Sequence, residues 1–163
     1  MPNSEARSQN FERTSFGERL QKISARYSPN TRETTNGRQF GKKRGWPHEE
    51  HCVLCNGPFE TGLHLCLCCP FAKAVWSQIL AWEHFDGLIG QQQNDPSNIR
   101  QWWENASSKV PRPERRRFNG MVIYIFWNLW KERNRRIFNN TYETVMQVAV
   151  SIKDDIVQRR VFR

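Results

Sequence analysis

The sequence predicts a mainly α-helical fold, on three observations. Beyond residue 69, apolar residues recur at intervals of three and four, the period of one helix face. All five cysteines fall between Cys52 and Cys69, an odd and crowded set that does not suit a disulfide framework spread along a chain. Residues 1–45 contain no large aliphatic side chain besides Leu20 and Ile23. The expected organisation has three parts: a disordered basic arm over 1–45, a cysteine module with following helices over 46–110, and a basic helical segment over 111–163.

The arm carries ten Lys and Arg against four Glu, and Ser, Asn, Thr, Arg and Gly dominate it. Such a segment cannot bury enough apolar area to offset its backbone entropy. Within it Phe16, Leu20, Ile23 and Tyr27 share a helical spacing that allows a short amphipathic helix. Glu5, Glu12 and Glu18 argue against an organelle transit peptide, because such leaders are poor in acids, and no secretory signal is read at the N-terminus.

Four helices are expected after the cysteines. The first runs over 70–83, opened by Pro70, with Phe71, Val75, Ile79 and Trp82 in one stripe joined by Trp76 and Leu80. Gln91–Gln93 and Asn94-Asp95-Pro96 read as a loop, after which Ser97 caps a helix to about Ser108 with Ile99, Trp102, Trp103 and Ala106 apolar. Trp102-Trp103 reads either as core or as a base-stacking platform. A third helix spans Pro113 to about Asn139, apolar nearly all round between Phe118 and Trp130 and basic at both ends. Asn140 to Glu143 reads as a cap opening a last helix with Val145, Val148, Ala149, Ile152 and Ile156 on one face. No run of about 18 apolar residues suggests a membrane span.

The cysteines read Cys52-x2-Cys55, His64, Cys66, Cys68 and Cys69. Two residues between a cysteine pair is the spacing of a knuckle, and Asn56-Gly57-Pro58 supplies the turn after it. Cys52, Cys55, His64 and Cys69 together make one closed tetrahedral site for a single structural Zn²⁺, with no ligand position left for a reacting water. Cys66 and Cys68 compete for the last position. Cys69 is favoured because it precedes Pro70 at a helix start, where the helix field stabilises a thiolate. His51 adjoins Cys52 and is a minor alternative ligand, whereas His48 and His84 stand apart from any acid–base set.

Gly45-Trp46-Pro47, Cys52-x2-Cys55, Glu60-Thr61, His64-Leu65, Cys69-Pro70-Phe71-Ala72 and Val75-Trp76 resemble the zinc-binding domain that follows the reverse transcriptase of plant non-LTR (LINE-type) retrotransposons. Trp102-Trp103 and the run from Trp127 to Phe138 resemble the tail that commonly follows it. The resemblance implies Cys52, Cys55, His64 and Cys69 as zinc ligands. It also implies help in engaging a template, and a chain that stands as a detached piece of such an element. Where the family often has Phe, this chain has Cys66.

No paired-aspartate palm accompanies the motif: Asp154-Asp155 lies on a helical pattern and reads as a solvated face. With no nucleophile–base set and no Gly-rich phosphate loop, the expectation is a non-catalytic module. The formal net charge of +9 favours a polyanionic partner, RNA or another single-stranded nucleic acid, bound with little sequence preference. The phosphate contacts are expected from Lys42, Lys43, Arg44, Arg115, Arg116, Arg117, Arg133, Arg135 and Arg136. The alternative is a protein-interaction or regulatory module using the Met121–Trp130 helix, with a homodimer through residues 118–130. Neither a membrane nor a small-molecule substrate is expected. Free clustered thiols place the protein in a reducing intracellular compartment, nucleus or cytoplasm.

Overall fold

The structure, a computed structural model, describes residues 51–58, 60–89 and 99–161. The expected basic arm, the Phe16–Tyr27 segment, the Ser97 cap and Lys42, Lys43 and Arg44 lie outside the described residues. Among the described residues the protein is mainly helical with no strand. A π-helical turn, His64–Cys68, leads into α1 (Pro70–Trp82) and a single turn α2 (Asp86–Ile89). Then come α3 (Ile99–Lys109), a 3₁₀ turn (Arg112–Glu114), α4 (Arg115–Asn139) and α5 (Val145–Val161).

Helix α4 is the axis of the fold. Its apolar circumference is met by elements of the same chain: α5, α1, α3 and the π-turn all pack against it. Phe118, Met121, Val122, Ile125, Phe126 and Leu129 are accordingly buried, so their hydrophobicity needs no second chain to explain it. Tyr124, Trp127 and Trp130 remain half-buried. The hydrophobic core runs without a break from Cys52 through α1 and α4 to Ile156 in α5, crossing the boundary expected near residue 110.

Trp102 is part of this core and not a stacking platform. It meets Trp76 edge-on with ring centroids 5.2 Å apart and lies 6.1 Å from Phe126. Trp103 is half-buried and donates its indole N–H to Asn119 Oδ1 at 3.0 Å. A burial-driven core outcompetes a nucleic-acid platform for an indole on a helix that already faces two aromatic neighbours.

The entry to α5 differs from the expected cap. Asn140 ends α4 in the left-handed region (φ 50°), which Asn tolerates. The cap of α5 is Thr144, whose Oγ1 accepts from Gln147 N–H while Gln147 Oε1 accepts from Thr144 N–H at 2.8 Å. This is a capping box with Gln at its third position. Asp155 is half-buried rather than simply solvated. Its carboxylate accepts from Asn128 Nδ2 at 2.8 Å, tying α5 to α4, while Asp154 is exposed.

Candidate metal centre

The knuckle forms because residues 52–57 close a tight loop on themselves. Asn56 N–H donates to Cys52 C=O at 2.6 Å, and Cys52 N–H donates to Gly57 C=O at 2.8 Å. Asn56 takes φ 59°, a left-handed position that Asn accepts. Gly57 is needed for space: a Cβ there would sit 3.2 Å from Cys55 Sγ. Its N–H instead points at that sulfur, 3.4 Å away.

The second arm begins at Thr61, whose Oγ1 accepts from His64 N–H at 3.0 Å. The chain then makes the π-turn, closed by Cys69 N–H donating to His64 C=O at 2.7 Å. Closing one residue wider than an α-turn brings positions five apart towards one side, which is what His64 and Cys69 require. Trp76 fixes this turn from the core by donating its indole N–H to Cys66 C=O at 2.8 Å. Pro70 then opens α1 directly after Cys69.

The ligand atoms of Cys52, Cys55, His64 and Cys69 all lie within 4.8 Å of one another. Zn–S bonds of about 2.3 Å at tetrahedral angles require sulfurs about 3.8 Å apart. Cys52 Sγ and Cys69 Sγ are separated by 3.9 Å, and Cys55 Sγ lies 3.3 Å from His64 Nε2. The donor set and its spacing therefore suit one zinc ion, and they are the four residues the spacing predicts. Cys66 points into the core, 1% exposed, and burial pushes its thiol up to about 12. Its sulfur is not among the clustered ligand atoms, and that placement is what leaves it out of the site. His51 is exposed and forms an isolated bridge with Pro58 outside the cluster.

Cys52 and Cys69 share a proton. The hydrogen bond between Cys52 and Cys69, helped by the backbone at Leu54 and Cys55, holds Cys52 down at about 4. The same bond and burial push Cys69 far up.

The basic run after Trp130 is placed differently from what its charge suggests. Arg133 pairs with Glu60 at 2.5 Å, and Arg135 pairs with Glu132 and Glu143. Arg136 donates Nε to Glu132 at 2.7 Å and also binds the carbonyls of Val53, Leu54 and Glu143. Glu132 is fully buried, and Lys131 lies 3.9 Å from Asp155. Four cations here face four carboxylates, three of them from outside the run or its mid-helix, so the patch is close to neutral. Residues 109–117 keep their charge: Lys109, Arg112, Arg115, Arg116 and Arg117 stand against Glu114 alone within that stretch. Arg115 binds the carbonyls of Ser108 and Val110, and Arg117 binds Glu83 C=O. Lys109, Arg112 and Arg116 are exposed, and their side chains make no ion pair among the described residues. Lys109 and Arg112 were not singled out by the sequence reading; the signal was the density of cations on both sides of Pro111 and Pro113.

Residues 18–76 match the family model for zinc-binding in reverse transcriptase. That match contains all four clustered ligands and covers the zinc-binding region, not a catalytic domain. No curated protein and no solved structure matches the chain.

Proposed function

We propose that this chain, which carries the zinc-binding domain of reverse transcriptases, is a non-catalytic module that holds nucleic acid, RNA in preference, by its phosphate backbone. Cys52, Cys55, His64 and Cys69 hold the ion, which cross-links the knuckle to the start of α1 and leaves no position open for a reacting water. Three thiolates around Zn²⁺ leave a local charge of −1, so the ion is no phosphate clamp and the cations must act elsewhere.

The observation that carries the reading is the net charge of +4 between residues 109 and 117, displayed at the corner of α3 and α4. Arginine at a helix start opposes the helix dipole, so Arg115, Arg116 and Arg117 are not there to stabilise α4 by charge. A polyanion across this corner would relieve their mutual repulsion, and Lys42, Lys43 and Arg44 add to the same charge along the chain. Arg133, Arg135 and Arg136 contribute less, because carboxylates already meet them. Phosphate-led recognition gives little sequence preference. Reduced thiols are needed to bind the ion, which agrees with residence in the nucleus or cytoplasm. Kinship with plant LINE-type elements is part of the same reading.

Filter binding of single-stranded RNA across a salt series tests it. Affinity should fall steeply between 50 and 200 mM salt, and Arg112→Glu with Arg116→Glu should weaken binding and flatten the slope. Flat affinity over that range rejects the reading. The alternative of a protein-interaction module through the Met121–Trp130 helix rests on half-buried Tyr124, Trp127 and Trp130; a stable dimer in light scattering without RNA retention would favour it.

A further inference from the structure

Both arms of the metal centre are gripped by one turn of α4. Arg133 reaches Glu60, next to the Thr61 that caps the His64 turn. Arg136, three residues on, reaches the knuckle itself, donating Nη1 to Val53 C=O at 3.0 Å and to Leu54 C=O at 3.2 Å. It also lies over the Phe71 ring, 4.8 Å from the centroid, beside the Cys69–Pro70 start of α1.

The two carbonyls that Arg136 binds belong to particular peptide groups. The Val53 carbonyl shares its peptide with the Leu54 N–H, and the Leu54 carbonyl shares its peptide with the Cys55 N–H. Those two peptides are two of the three links that join Cys52 to Cys55 across the knuckle. A cation at the oxygen end of a peptide polarises it and fixes its orientation. Arg136 thus fixes the loop that presents Cys52 and Cys55.

Arg136 is held in turn by Glu132. The carboxylate is fully buried, accepts from Arg136 Nε, and also accepts from Glu143 N–H at 2.9 Å at the approach to α5. Arg136 Nη2 donates back to Glu143 C=O at 3.3 Å. A buried charge of this kind is tolerable only while its partners stay in place.

We infer that Arg136, positioned by Glu132 and assisted by Arg133, is the outer support of the zinc centre, so that metal binding and the seating of α5 are one coupled event. The family match ends at residue 76, yet the groups that orient the knuckle sit between residues 132 and 143. Coupling is reciprocal: whatever loosens the α4–α5 connection weakens the metal, and loss of the metal loosens α5.

The test uses the full chain. Zinc affinity is measured by competition with a chromogenic chelator, and the ligand field by the visible spectrum of the Co²⁺-substituted protein. Arg136→Met should weaken zinc 10–100-fold, the range for outer-shell partners, and shift the Co²⁺ bands. Arg136→Lys, keeping the charge with fewer donors, should recover part of the loss. Arg117→Met, which removes an arginine–carbonyl bond to Glu83 at the other end of α4, should change affinity less than threefold. Equal losses in Arg136→Met and Arg117→Met would reduce the effect to general stability and overturn the inference. If Arg136→Met does not fold, hydrogen exchange on the wild type decides. Chelation should then expose the Glu143 amide and the first turn of α5 together with the knuckle amides. Retained protection at Glu143 while the knuckle opens, or a wild type that binds no zinc, overturns it.

Discussion

Substituting Cys69 and Cys66 separately asks the structure for two very different numbers. Cys69 Sγ sits 3.9 Å from Cys52 Sγ within the four-ligand cluster, whereas Cys66, three residues earlier, points into the core. Structural zinc bound by four such ligands is worth about 10–16 kcal/mol at neutral pH, so one ligand accounts for roughly 3–4 kcal/mol. Cys69→Ala should therefore raise the zinc Kd about 10²–10³-fold. Cys66→Ala removes one buried sulfur with no ligand role. It should cost about 1 kcal/mol of fold stability from the small cavity and leave the Kd within a few-fold. Chelator competition gives the affinities, and urea unfolding in excess zinc gives the stabilities. A Cys66→Ala protein that loses zinc as badly as Cys69→Ala would refute the ligand assignment and the reading of the π-turn on which it rests.

Other outcomes follow from the same geometry. Trp102→Ala should cost about 3–5 kcal/mol in urea unfolding, because the indole fills the core between Trp76 and Phe126. Its RNA affinity, measured under conditions where the variant stays folded, should be unchanged. Gly57→Ala should weaken zinc about tenfold in chelator competition, since the new Cβ crowds Cys55 Sγ from 3.2 Å and a ligand sulfur cannot retreat without lengthening its bond. Zinc affinity should rise with pH through neutrality. The proton shared by Cys52 and Cys69 must leave when the ion binds, so lower pH favours the proton and higher pH the metal, and below about pH 4 the Cys52 thiolate is lost as well. Calorimetry in buffers of different ionisation enthalpy should detect that released proton.

The metal ligands were legible in the sequence because their chemistry is local. Cys-x2-Cys with a turn behind it, and a cysteine before a helix-opening proline, need little tertiary information, and Cys52, Cys55, His64 and Cys69 do come together. Four of the five helices were legible from period, prolines and caps, with α1, α3 and α4 within a few residues of their expected ends, while the single turn α2 was not expected. What was not legible depends on long-range placement. The run Lys131 to Arg136 reads as a basic patch until Glu60, 73 residues from Arg133, and Glu143 fold against it. Trp102 and Trp103 look alike in sequence, and the core separates them by which way α3 faces. Asn140 reads as the cap of the last helix, but its left-handed turn ends α4, and the Thr144–Gln147 pair begins α5. The π-turn had no clear sequence signal, because it answers to the geometry of the site it builds.

Metal content of the purified full chain, measured by mass spectrometry of the element together with hydrogen exchange before and after chelation, bears most directly on this account. One zinc per chain is expected, with protection lost around Cys52–Gly57 and His64–Cys69 when it is removed. A chain that carries no zinc and keeps the same exchange pattern in chelator would contradict it.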